Sequence, residues 1–332
     1  MEVVYEVAEE NLRVLVAALH CLAQVGKEMS VESDDRGVLT CRALNDAHSA
    51  SGHVAFERSF FADVQALGVA RLPFVRCKLF AKSCCNVFRT LKHVRSLQIS
   101  FVLDEQSLRD DPEAEEDEEL DADCVEIRWC LRCDFEITKT HRMKVHAGQI
   151  MRAVFDRTAC PSHLVARQFH LASLLAHIHH SNEVAVTCSE TKVCFESYFP
   201  TAGDDKGVVH VLSDWGCDLG KSHLHTETTV DTTEFQEYVL APSSVGIDSS
   251  VQLIFCLKEV RALLSFCKAS DIAEVQFYFS TSGSPVLLSA ESTALSKFSI
   301  EVTLSTVTTF LPASSQTASS QTRREFCADG TG

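Results

Sequence analysis

The chain has 332 residues, 45% of them hydrophobic, and a formal net charge of −16. That is more than one small domain needs to bury a core, so two domains of similar size are expected. No run of about 18 apolar residues occurs, and Met1-Glu2-Val3-Val4-Tyr5-Glu6 lacks the basic start and apolar stretch of a signal peptide, which argues against a helical membrane span and for an unsecreted protein.

In chain order, residues 3–7 read as an edge strand and 9–25 as a helix with Leu12, Leu15, Val16, Leu19 and Leu22 on one face and Arg13, His20 and Gln24 on the other. Gly26 closes it, and residues 29–32 and 38–44 form a hairpin around Asp34-Asp35-Arg36-Gly37. Strands follow at 54–56 and 76–80. The spacing then predicts a helix over 81–94 that buries Cys84, Val87, Phe88 and Leu91, with Lys82, Asn86, Arg89 and His93 on its other face and Lys78 at its entry. Residues 64–103 hold no Asp or Glu and seven basic residues, whereas 104–123 hold twelve acidic residues and one arginine. This acidic run is too charged to pack and is expected to be a solvated loop joining strands at 97–103 and 124–131.

Periodicity lapses over 148–167, where Cys160-Pro161 marks a connector. The expected layout is a first domain at 1–147, the connector, a second domain at 168–305 and a disordered tail at 306–332. The second domain reads as a helix over 168–179, strands at 184–187, 193–198 and 208–212, the segment 251–289 and a last strand at 298–304. Segment 251–289 is strand, amphipathic helix, strand, tight turn, strand. Val260, Leu263, Leu264 and Cys267 share one helical face, and Lys258, Arg261, Ser265 and Lys268 share the other. At constant offset, Phe80-Ala81-Lys82 falls on Cys256-Leu257-Lys258 and Lys92 on Lys268, so a cationic helix occurs twice. Leu15, Ala18, Leu19 and Leu22 match Leu171, Leu174, Leu175 and Ile178 in the same way.

Fifteen cysteines lie scattered at apolar positions such as Cys84 and Cys267, which fits buried, reduced thiols in a chain with ample core. Cys130 and Cys133 with His141 and His146 resemble a zinc set, but residues i and i+3 of a strand point to opposite faces, so no metal is expected there. His177, His179 and His180, and His223 with His225, complete no ligand set. No phosphate-binding glycine loop, nucleophile elbow or zincin motif is present. No cofactor and no catalytic residue are assigned. A lysine-rich helical face is ordinarily a solvated surface. Its recurrence in both halves, without interleaved aromatic residues, favours sequence-independent contact with phosphates.

Phe255-Cys256-Leu257-Lys258-Glu259-Val260-Arg261 through Leu263-Leu264-Ser265-Phe266 closely resembles the signature of the Rad-nine (Rad9) subunit of the checkpoint sliding clamp. Arg76-Cys77-Lys78, Val87-Phe88-Arg89, Lys139-Thr140-His141, Ala153-Val154-Phe155-Asp156 and Cys160-Pro161 add to it, so the resemblance covers residues 8–305. The resemblance implies an α+β fold of two sliding-clamp domains, each with two helices packed on antiparallel sheets. It further implies a nuclear heterotrimer with two related clamp subunits that surrounds double-stranded DNA, is opened by a clamp loader and serves checkpoint and repair factors, with no membrane partner. On this reading Lys78, Lys82, Arg89, Lys258, Arg261 and Lys268 contact the DNA backbone. Ser315 and Ser320 each precede Gln, the context checkpoint kinases prefer, and are expected phosphorylation sites; the family's long tail has only a short counterpart after Thr306. The alternatives are a 3′→5′ exonuclease, an activity proposed for the family, and a self-associating replicative clamp.

Overall fold

The computed structural model describes residues 1–68, 70–104, 121–146, 150–178, 181–199, 224–242 and 250–308. The expected strand at 208–212, most of the acidic run, His179, His180, His223, Ser315 and Ser320 lie outside them. The first half comprises β1 (Glu2–Ala8), α1 (Glu9–Val25), β2 (Glu28–Ser33), β3 (Leu39–Leu44), β4 (Ala50–Phe56), β5 (Asp63–Leu67), β6 (Phe74–Phe80), α2 (Ala81–Val87), β7 (Val94–Leu103), β8 (Asp121–Cys133) and β9 (Thr138–Lys144). The second comprises β10 (Ser162–Arg167), α3 (Gln168–Ala176), β11 (Glu183–Cys188), β12 (Lys192–Tyr198), β13 (Glu227–Asp231), β14 (Glu237–Val239), β15 (Val251–Cys256), α4 (Leu257–Ala269), β16 (Glu274–Phe279), β17 (Val286–Glu291) and β18 (Phe298–Leu304).

The pairing repeats element by element. β1 lies between β5 and β7, and β10 between β14 and β16. β2 lies between β3 and β6, and β11 between β12 and β15. The runs β7-β8-β9 and β16-β17-β18 complete each half. So β1 to β9 correspond to β10 to β18, and α1 and α2 to α3 and α4. The α2/α4 match stands at the helix starts, Ala81 and Leu257, but Lys92, set against Lys268, lies beyond the end of α2. The α1/α3 match shifts by one ridge, because the helices start at Glu9 and Gln168 and set Leu12, not Leu15, against Leu171.

The structure revises several boundaries. Residues 162–167, expected in the connector, form β10 and pair with β16. β5, β9, β13 and β14 were not legible as strands. The end of the acidic run is strand, since Asp121 to Asp123 open β8 and pair in parallel with Phe74 to Arg76 of β6. α3 ends at Ala176. Every described cysteine is a free thiol, and burial pushes Cys41, Cys188 and Cys267 up to about 12.

One ladder joins the halves: β18 pairs with β4 along its whole length, from Phe298↔Phe56 to Leu304↔Ala50. Its core face holds Phe298, Ile300, Val302 and Leu304 against Phe56, Val54 and Ala50, all buried. Phe56 lies 4.5 Å from Phe60 and 6.3 Å from Phe298, and Phe298 lies 5.9 Å from Phe266 of α4. On the other face of the sheet the connector is tied to both halves. Arg152 reaches Glu32 at 2.8 Å, Glu32 accepts from Arg42 at 3.1 Å, and Arg157 engages Glu301, Ser289 Oγ and the Tyr278 ring.

Glu32 is 4% exposed. Burial alone would raise its carboxyl, but hydrogen bonds from Arg152 and Arg42 outweigh this and hold it below the ordinary value. A depressed carboxyl contributes stability above its unfolded pKa, and that contribution is lost as pH falls through the folded one. Glu32→Gln should therefore lower stability at neutral pH and flatten the acid limb of a pH series of urea melts. An acid limb of unchanged slope would show that the pair contributes nothing.

Candidate nucleic-acid interface

The four helices lie side by side in the order α2, α1, α4, α3: α1 packs on α2 and α4, and α3 on α4. α4 has the cleanest division. Leu257, Val260, Leu263, Leu264, Phe266 and Cys267 are buried, and Lys258, Arg261, Ser265 and Lys268 are its exposed positions. Three of those four are cationic, and Lys268 sits in the last turn, where the helix dipole favours positive charge. α1 presents Arg13, His20 and Gln24 in the same layer. These are legible in the sequence as outward-facing but were not assigned to the site.

α2 is shorter than expected. It ends at Val87, where Phe88 leaves helical geometry and packs edge-on against Trp129 at 5.4 Å. The chain then turns through His93, which is left-handed at φ 69°, into β7. Lys82 is exposed on the helix, and Arg89 is exposed just beyond it. His93, expected on the outer face of this helix, lies beyond its end, and His93 and Arg95 both bind Asp134, with Arg95 also binding Glu9.

Two further assignments change. Lys78 alternates with the buried Cys77 and Leu79 along β6, so it faces away from α2. It lines a cleft on the opposite side of the sheet with Lys27, Arg42, Phe80 and Met151. Arg261 is exposed, but its guanidinium donates to the carbonyls of Leu175, at 3.4 Å, and Ile178. It thereby ties α4 to the end of α3, where the Leu175 carbonyl also accepts from the Ile178 N–H. Lys82, Arg89, Lys258 and Lys268 remain, and among the described residues none of them makes an ion pair. Nor are any three His, Cys, Asp or Glu side chains among the described residues placed to hold a metal.

The model of the Rad9 family matches residues 15–307. The chain belongs to the Rad9 family. A "Cell cycle checkpoint control protein Rad9" from Drosophila melanogaster is 24% identical over 286 residues, which is 86% of this chain and 52% of the relative. The chain thus spans about half the length of the curated relative it matches. Among solved structures, the proliferating cellular nuclear antigen of Entamoeba histolytica superposes with a TM-score of 0.60 at 9% identity, covering 92% of this chain and 99% of the other. A chain of the PCNA2-PCNA3 complex of Sulfolobus tokodaii gives 0.60 at 11% identity, covering 91% and 98%. The fold is that of a sliding clamp. The stretch that carries the family signature is the β15–α4 junction, and its apolar residues are the core of the helical layer.

Proposed function

We propose that this protein is one subunit of a heterotrimeric ring that encircles double-stranded DNA in the nucleus and serves as a scaffold for damage-checkpoint and repair factors. The observation that carries this reading is a pairing left incomplete. β18 and β4 join the two halves, while among the described residues their counterparts β9 and β13 pair on one side only. The same junction repeated at those edges would add related subunits on both sides, and open edges are usually covered. Family membership supports the checkpoint role, and the layer of four helices supplies a continuous face toward the enclosed duplex. Loading by a clamp loader follows from closure around DNA.

Phosphate contact is assigned to Lys82, Arg89, Lys258 and Lys268, with Arg261 as a positioning residue that holds α3 to α4. Lysine ammonium groups on helices suit contacts that carry no base readout. Reversing Lys82, Lys258 and Lys268 to Glu in the assembled ring should weaken DNA binding and lower the slope of log affinity against log salt by about 0.9 per lost contact. Lys78→Glu, on the far side of the sheet, should leave that slope unchanged. An unaltered slope in the triple variant would overturn the assignment.

A further inference from the structure

The hairpin that joins β8 to β9 turns through Asp134, Phe135, Glu136 and Ile137. The Cys133 N–H donates to the Ile137 carbonyl at 2.8 Å and the Ile137 N–H to the Asp134 carbonyl at 3.3 Å. The two central residues are left-handed, Phe135 at φ 59° and Glu136 at φ 58°. Such a turn ordinarily takes Asn-Gly or Asp-Gly, because a Cβ crowds the following carbonyl in this conformation. The Phe135 side chain gains nothing from the fold in return, since it is 90% exposed. Residues held in such conformations cluster at ligand sites.

The tip is clamped in place. The Asp134 N–H donates to the His93 carbonyl at 2.9 Å, and the Asp134 carboxylate binds His93 at 2.9 Å and Arg95, which also reaches Glu9 of α1 at 3.0 Å. Phe135 therefore stands beside residues 88–93, the turn that leads from α2 into β7. That turn exposes Arg89, Lys92 and His93. Asp134 and Glu9 are occupied by His93 and Arg95, whereas Arg89 and Lys92 make no ion pair among the described residues, which leaves Glu136 as the opposing charge at the tip. An exposed aromatic side chain next to unpaired cations suits single-stranded nucleic acid, the aromatic group stacking on a base and the cations meeting its phosphates.

The repeat supplies an internal control. In the second half, the turn after α4 is left-handed at Asp271, φ 55°, and residues 270–273 include no base. The β17–β18 connection, residues 292–297, is longer and exposes Leu295 rather than an aromatic residue. The clamp architecture thus requires neither Phe135 nor Lys92. Their juxtaposition belongs to the first half alone.

We infer that Phe135, with Arg89 and Lys92, forms a site for an unpaired nucleotide at the end of the helical layer, where a strand leaving the enclosed duplex passes. This rests on the clamp reading and adds single-stranded DNA to its duplex. The test is fluorescence anisotropy of the purified full chain with a labelled oligothymidylate and with an abasic strand of the same length, which keeps the phosphates and lacks the bases. The wild type should bind the oligothymidylate more tightly than the abasic strand. Asn tolerates the left-handed position, so Phe135→Asn should keep the turn, abolish that preference and lower oligothymidylate affinity roughly 5- to 150-fold, the range for one stacked base. Phe135→Trp should retain the preference. Lys92→Glu should weaken both strands alike and lower the salt slope by about 0.7 for the lost contact. A wild type without the preference, or a Phe135→Asn variant that keeps it, would overturn the inference. So would a Phe135→Asn variant that binds the strand as before but no longer assembles with two related clamp subunits, which would assign the side chain to a protein neighbour. A wild type that lacks the preference yet assembles with those subunits would overturn this inference alone; one that does neither would remove the clamp reading as well.

Discussion

Thr140→Pro should abolish ring assembly with related clamp subunits while leaving the isolated chain folded. Proline removes one backbone N–H, and at Thr140 that group points to the open side of β9 rather than into the β8 ladder. The side chain is exposed, so no core contact is lost. The matching control is Thr303→Pro on β18, the counterpart of Arg142, whose N–H lies in the closed β18–β4 junction; that variant should lose fold stability. Native mass measurement of each chain co-expressed with two related clamp subunits, together with circular dichroism of each chain alone, reads both effects. An intact ring with Thr140→Pro would show that β9 is not an assembly edge.

Phe56→Ala should cost about 3–5 kcal/mol of stability, in the range of large aromatic truncations in cores. Phe56 is fully buried, sits between Phe60 and Phe298, and belongs to the ladder that joins the halves. The cavity would open where first-half and second-half side chains interdigitate, so hydrogen-exchange protection should fall in β17 and β18 as well as in β3. Urea denaturation measures the size of the loss and exchange measures its spread. A loss confined to the first half would mean that the junction contributes little to holding the halves together.

Much of the architecture is legible in single stretches of sequence. The exposed stripe of α4 and its buried face follow from the 3.6-residue period alone, since which residues share a helical face is a local property. The repeat of that helix at Ala81, the β2–β3 hairpin and the last strand were legible for the same reason. β9 was not. Its seven residues, TKTHRMK, show no apolar alternation because side chains on both faces of the strand are exposed, and the period-2 signal exists only where one face is buried and the other is not. β5 and β14 are likewise short sheet edges with little to bury.

The amino-acid sequence by itself determined the α+β composition, the two-fold repeat, the charge on α4 and, through the residues at the β15–α4 junction, the family. The tertiary structure decided which of the cations can meet a ligand. Lys78 and Lys82 are four residues apart, and a helix would have placed them on one face; the boundary between β6 and α2 at Phe80 puts them on opposite sides of a sheet. Arg261 shares its stripe with Lys258, yet the end of α3 draws its guanidinium onto two carbonyls, a demand set by a segment more than eighty residues away. Whether a strand is closed or open was decided at the same level. β18 and β9 are counterparts in the repeat, and only the presence of β4 beside one of them makes it a junction and leaves the other an edge, because strand pairing depends on the neighbour brought alongside rather than on the strand's own residues.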